Sequence, residues 1–187
     1  ELQRLGLVTI KPQSGVFVAD YMRDGNLATF NAIVRFNGDN LSVDTIAGLF
    51  DLRLAVEGAG MLALAQRHTP EDIARLRGCI DSLGDFIASE DFSYPAFAAR
   101  LYEFPKLICR LGGKPMLALV FKSVEEGAVY LTERYVRSIG AAAAVNELDR
   151  FADSIEAGDG EGAVEQLRQC MDAQLERYRK QKQTPYH

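Results

Sequence analysis

From Leu41 onward the apolar residues of this chain recur three and four positions apart, and no convincing run alternates in period two. A stretch patterned in this way buries its apolar stripes only by packing helix against helix. The spacing predicts six helices, at about 42–67, 70–88, 93–111, 115–136, 140–157 and 160–182, with ends set to within about two to four residues. Local chemistry marks several of those ends. Thr69 offers a hydroxyl N-cap ahead of Pro70 at the first helical position, and Glu71 and Asp72 put acids in the first turn, facing the positive end of the helix. Gly112 and Gly113 close one helix and Pro115 opens the next, while Gly158 and Gly160 separate the last two. The expected fold class is all-α, an antiparallel bundle of six to seven helices.

The first forty residues follow another rule. Two short β-branched or aromatic runs, Leu7 to Ile10 and Val16 to Val18, are separated by Lys11, Pro12, Gln13, Ser14 and Gly15, which is turn chemistry and predicts a hairpin. A lone hairpin is marginal in water, so this one packs on something upstream or on the rest of the chain. The stretch before it, Glu1 to Leu5, reads as the tail of a preceding helix, and the chain is expected to be a piece of a longer protein. Leu27, Phe30, Ile33 and Val34 then form a short helical stripe that stops at Asn37-Gly38-Asp39-Asn40.

With 187 residues, 48% of them hydrophobic, one core forms without help from disulfides or metal. The formal net charge of -5, from 21 Lys and Arg against 26 Asp and Glu, argues against a free-standing nucleic-acid binder. Cys79, Cys109 and Cys170 are odd in number and widely spaced, which fits reduced thiols and a cytoplasmic location. The apolar stretches Met116 to Phe121 and Ile139 to Val145 are too short to span a bilayer, so no membrane partner is expected.

Catalytic groups are few. His68 and His187 are the only histidines, and one reads as a helix-end charge and the other as a tail residue, which leaves no pair for a metal or a nucleophilic triad. Gly112-Gly113-Lys114-Pro115 and Gly158-Asp159-Gly160-Glu161-Gly162 lie between helices and lack the strand and ending of a phosphate loop. Glu125-Glu126 and Glu156 with Asp159 read as solvated helix faces. No enzyme is expected. Asp51, Arg53 and Glu57 lie among Leu49, Phe50, Leu52, Leu54 and Val56, so at least one of these charges is expected near the core, where an ion needs a partner or a ligand. Glu57 follows Arg53 by four residues and can pair with it; a ligand carboxylate or phosphate is the other partner for Arg53.

Several motifs, in order, carry a resemblance: Leu5-Gly6-Leu7-Val8, Ser14-Gly15-Val16-Phe17-Val18, Asp51-Leu52-Arg53-Leu54-Ala55-Val56-Glu57, Thr69-Pro70-Glu71-Asp72, Phe104 before Gly112-Gly113-Lys114-Pro115, and Ala157-Gly158-Asp159. The chain resembles a transcription regulator of the GntR family, FadR subfamily, lacking most of its N-terminal winged helix. The resemblance implies three parts. Residues 1–20 would be the end of a winged helix-turn-helix domain, with Lys11, Gln13, Ser14 and Gly15 at a wing that follows DNA. Residues 21–40 would be a linker with a short helix, and residues 41–187 a helical domain for effector binding and homodimerisation. Without its recognition helix the chain is expected not to bind an operator specifically by itself.

Many relatives hold a divalent metal through an Asp and a His one turn apart, with two later histidines. The matching positions here are Leu101, Pro105, Leu148 and Cys170, so the resemblance implies a metal-free pocket and no cofactor. Arg53 stands where the acyl-CoA-binding member of the subfamily has a ligand-contacting arginine, and Tyr130 matches a pocket tyrosine. Tyr135 lies near another such tyrosine but out of register, and Cys170, Ala173 and Arg177 stand where that member uses Gly, Ser and Trp. The expected effector site is Arg53, Leu101, Pro105, Tyr130, Leu148 and Cys170, suited to an apolar ligand with one anionic end, a carboxylate or an acyl-CoA-like molecule. Pro105 within a helix is expected to kink it and open the cavity. The competing expectation is a helical protein-interaction module with an occluded core and no small-molecule ligand.

Overall fold

The computed structural model describes residues 1–183. An antiparallel hairpin, β1 (Val8–Lys11) and β2 (Gly15–Val18), leads through one turn of helix, α1 (Tyr21–Asp24), to the linker helix α2 (Leu27–Asn37) and a 3-10 turn at Gly38–Asn40. The bundle follows as α3 (Val43–Arg67), α4 (Pro70–Ile87), α5 (Tyr94–Leu101), α6 (Glu103–Leu111), α7 (Pro115–Ser123), α8 (Glu125–Ile139), α9 (Ala141–Glu156) and α10 (Gly160–Gln183). His187 lies outside the described residues.

The hairpin pairs Val8 with Val18 and Lys11 with Gly15, so Pro12, Gln13 and Ser14 form a three-residue loop. Gln13 takes a φ of 64° there, and Ser14 N–H donates to Lys11 O at 3.0 Å. Most of its apolar side chains are exposed, with Val16 at 65% and Val18 at 91%, and only Val8 is half-buried. The segment is tied down at its base instead. Thr29 on α2 is buried, and its hydroxyl donates to Leu5 O at 2.7 Å while accepting from Asn26 N–H at 2.7 Å. This completes a capping box at the start of α2.

In the bundle α3 is the axis. It lies along α10 and touches α6, α7 and α9, while α4 packs on α9 and α5 on α8. Met61, Leu64, Leu76, Phe97, Phe104 and Ile108 are wholly buried between these helices. α6 comes close because position 60 is glycine; a Cβ there would sit 3.1 Å from Cys109 Sγ. At the far end Tyr178 Oη donates to Leu41 O at 2.8 Å and pins α10 to the start of the domain. The predicted caps form: Thr69 and Asp72 close a capping box ahead of Pro70.

Two of the six predicted helices are each broken. The segment 93–111 divides at Tyr102 into α5 and α6. Pro105 has no N–H to offer Leu101 O, and its ring crowds that carbonyl, so the hydrogen-bond ladder is interrupted there. Pro105 therefore sits in the first turn of α6, and the interruption at the expected kink is a single residue, Tyr102, with near-helical angles (φ -67°, ψ -12°). The segment 115–136 divides at Val124 (φ -110°, ψ 10°), with α8 continuing to Ile139. No proline or glycine stands at that break. Asn31 of α2 supplies the cause: its Nδ2 donates to Ser123 O at 2.9 Å and its Oδ1 accepts from Gly127 N–H at 3.0 Å. In an unbroken helix those two backbone groups, four residues apart, would bond each other. The carboxamide stands in place of that bond. Gly127 makes the approach feasible, because a Cβ on it would lie 2.7 Å from the Phe30 ring of α2.

Candidate functional site

α3 carries Arg53 one turn before Glu57, and Arg53 Nε donates to Glu57 Oε2 at 2.8 Å. Glu57 is fully buried and its Oε1 has no hydrogen-bond partner, so the carboxylate depends on Arg53 for its one strong contact. Burial opposes the charge of Arg53, but the charge and hydrogen bond of Glu57 outweigh it and hold the guanidinium pKa above its ordinary value. Among the described residues no hydrogen bond occupies Arg53 Nη1 or Nη2.

Arg53, Thr132 and Gln174 form a shared wall between two cavities. One, the more polar of the two, is bounded by Leu101, Tyr135, Glu147, Leu148, Phe151 and Cys170. The other is apolar, bounded by Leu49, Leu52, Val56, Val120, Phe121 and Val124. For the centre of a water-sized sphere they offer ≈ 30 Å³ and ≈ 40 Å³ respectively. That is room for ordered water but not for an organic molecule, so a ligand must move side chains to bind. A third cleft, with Arg134, Arg177 and Tyr178 on its walls, shares Tyr135 and Gln174 with the polar cavity. Arg177 lies 6.0 Å from the Tyr135 ring centroid.

Tyr135 Oη donates to Glu147 Oε1 at 2.6 Å, and burial first, then Glu147, pushes the phenol pKa up. Burial likewise pushes the Cys170 thiol up to about 11, with Glu147 acting in the same direction. Near neutral pH Cys170 is thus a protonated thiol, which ligates metals poorly. No group of three or more His, Cys, Asp or Glu side chains able to hold a metal occurs among the described residues.

Of the six expected effector residues the structure brings Arg53, Leu101, Leu148 and Cys170 together around the polar cavity. Pro105 does not line it and is buried in the first turn of α6. Tyr130 faces α2 instead, in the cleft with Asn31 and Val34, and its ring fills the space where Gly38 would carry a Cβ. Tyr135 occupies the cavity in its stead. Thr132, Glu147, Gln174 and the apolar cavity were not anticipated. Gln174 had a signal, since it follows Cys170 by one helical turn; the apolar cavity had none, because α3 and α7 meet across some seventy residues of chain. At the hairpin tip Lys11, Gln13, Ser14 and Gly15 are exposed. Among the described residues no helix is long and apolar enough to cross a membrane.

A helical bundle preceded by a short helix, with a half-buried arginine on the wall of two cavities, has the form of a ligand-binding domain. The family model of the FCD domain matches residues 48–173, well over half of the chain, and the chain belongs to that family. Among solved structures, Streptococcus agalactiae GntR is similar over 92% of this chain and 76% of that one, with a TM-score of 0.52 and 15% identity, so the two share a fold. No curated protein matches the sequence.

Proposed function

We propose that this chain is the effector-binding and dimerising part, with its linker and wing, of a GntR-type transcription regulator. Residues 1–20 are read as the wing, with Lys11, Gln13, Ser14 and Gly15 toward DNA, residues 21–40 as the linker, and 41–187 as the sensor. The effector is a small organic acid or its thioester, held without metal. Arg53 carries this reading: its Nε is pinned by a buried carboxylate, its side chain lines both cavities, and its Nη1 and Nη2 are left to grip a carboxylate by a bidentate fork. Arg134 and Arg177 on the neighbouring cleft favour the approach of an anion.

The signal leaves through α7 and α8. Their residues wall the apolar cavity, and Asn31 holds the break between them. A ligand that enlarges the cavity changes the separation of Ser123 and Gly127, and α2 follows, resetting the wing. The small cavity volumes favour one competing reading, an interaction module with an occluded core. A thermal-shift screen of organic acids on wild type and on Arg53→Lys decides between them. The sensor reading predicts stabilisation by at least one carboxylate, and weaker stabilisation in the variant, which keeps a charge on Glu57 but loses the fork. No shift with any acid would establish the occluded bundle.

A further inference from the structure

The chemistry of the two cavities narrows the effector. The polar cavity holds charges from two helices, Arg53 on α3 and Glu147 on α9. Arg53 is already matched by Glu57. Glu147 accepts from the Tyr135 hydroxyl on Oε1 and is also in contact with the Cys170 thiol; it forms no ion pair among the described residues, and the charges of Arg150 and Arg177 reach its neighbours Cys170 and Tyr135 only at longer range. A simple anion seated on Arg53 would therefore bring a second negative charge into the cavity that contains Glu147. A ligand with a cationic hydrogen-bond donor beside its carboxylate satisfies both groups. Across Arg53, Thr132 and Gln174 the second cavity has Arg53 as its one charged wall residue among the described residues, and aliphatic or aromatic side chains for most of the rest. Leu52, 37% exposed, stands at its outer side and can swing into solvent.

We propose that the effector is an α-amino acid with an apolar side chain. Its carboxylate lies on Arg53 Nη1 and Nη2, its ammonium points to Glu147 Oε2, and its side chain enters the cavity between α3, α7 and α8. The proposal rests on the sensor reading above and adds the ammonium and the direction of the side chain.

The test is calorimetric titration of the 187-residue chain with L-leucine, 2-hydroxy-4-methylpentanoate, 4-methylpentanoate and leucine amide. L-leucine is expected to bind at least about tenfold more tightly than 4-methylpentanoate, with the hydroxy acid between them and the amide unbound. Glu147→Gln keeps an oxygen for Tyr135 but removes the charge, and should bring leucine and 4-methylpentanoate to within about threefold while leaving the melting temperature near that of wild type. Equal binding of leucine and 4-methylpentanoate to wild type, or an unchanged ratio in Glu147→Gln, would overturn the proposal. If other carboxylates bind in an Arg53-dependent way and leucine does not, the amino-acid inference fails and the sensor reading stands; if no carboxylate binds, both fail.

Discussion

The two helix breaks beside the cavities have different origins. At Tyr102 the break is local: Pro105 enforces it from within the same helix, and no other element is required. At Val124 the break is tertiary: Asn31, almost a hundred residues earlier in the chain, takes the two backbone groups that would otherwise close the helix. A local break is a fixed part of the scaffold. A break held by a side chain from the linker opens or closes with the position of that linker, so the two are coupled in both directions.

Disrupting the tertiary break should have the larger consequences. Gly127→Leu places a side chain where the Phe30 ring and Val34 already pack. It should destabilise the domain by roughly 1–3 kcal/mol, and limited proteolysis should then cut within residues 20–40 far faster than in wild type. Asn31→Ala leaves Ser123 O and Gly127 N–H without their side-chain partner. Because the groups are partly solvated the loss should be about 1 kcal/mol, seen as faster amide exchange at Gly127 with an otherwise intact bundle. Pro105→Ala at the local break should change stability by no more than about 1 kcal/mol, since the chain has already settled into a boundary there. Ligand affinity should stay unchanged in that variant, which separates the two breaks by function as well as by cause.

The smallest effect expected concerns the polar cavity. The folded protein holds the Cys170 thiol above its ordinary pKa, up to about 11, so the unfolded chain releases this proton first as pH rises. The contribution is complete below the ordinary thiol range and is lost as pH climbs toward 11. Melting temperature should fall in that window, and less so in Cys170→Ala.

Much of this fold could be read from the sequence, because apolar spacing and caps act over one or two turns. The Thr69-Pro70 start, the hairpin, the linker helix and the Arg53–Glu57 pair are all local facts. Pro105 signalled the break at Tyr102 for the same reason. Val124 carries no such mark, since its cause lies in Asn31 and in the glycine that admits α2. The candidate site divides along the same line. Arg53, Leu101, Leu148 and Cys170 converge, whereas Tyr130 and Tyr135, five residues apart on α8, face different neighbours: the first meets Gly38, the second Glu147. Helical rotation alone separates them, and only the packing of α2 against α8 shows which one faces the cavity.

Filling the cavities beside Arg53 is expected to move α2. Hydrogen–deuterium exchange with and without L-leucine, or with whichever carboxylate the thermal screen selects, tests it directly. Exchange should change at three places together: the cavity helices, the amides around Val124 to Ala128, and α2, with the change at α2 absent in Asn31→Ala. A bound ligand that alters the cavity helices alone, and leaves α2 of the wild-type chain untouched, would contradict it.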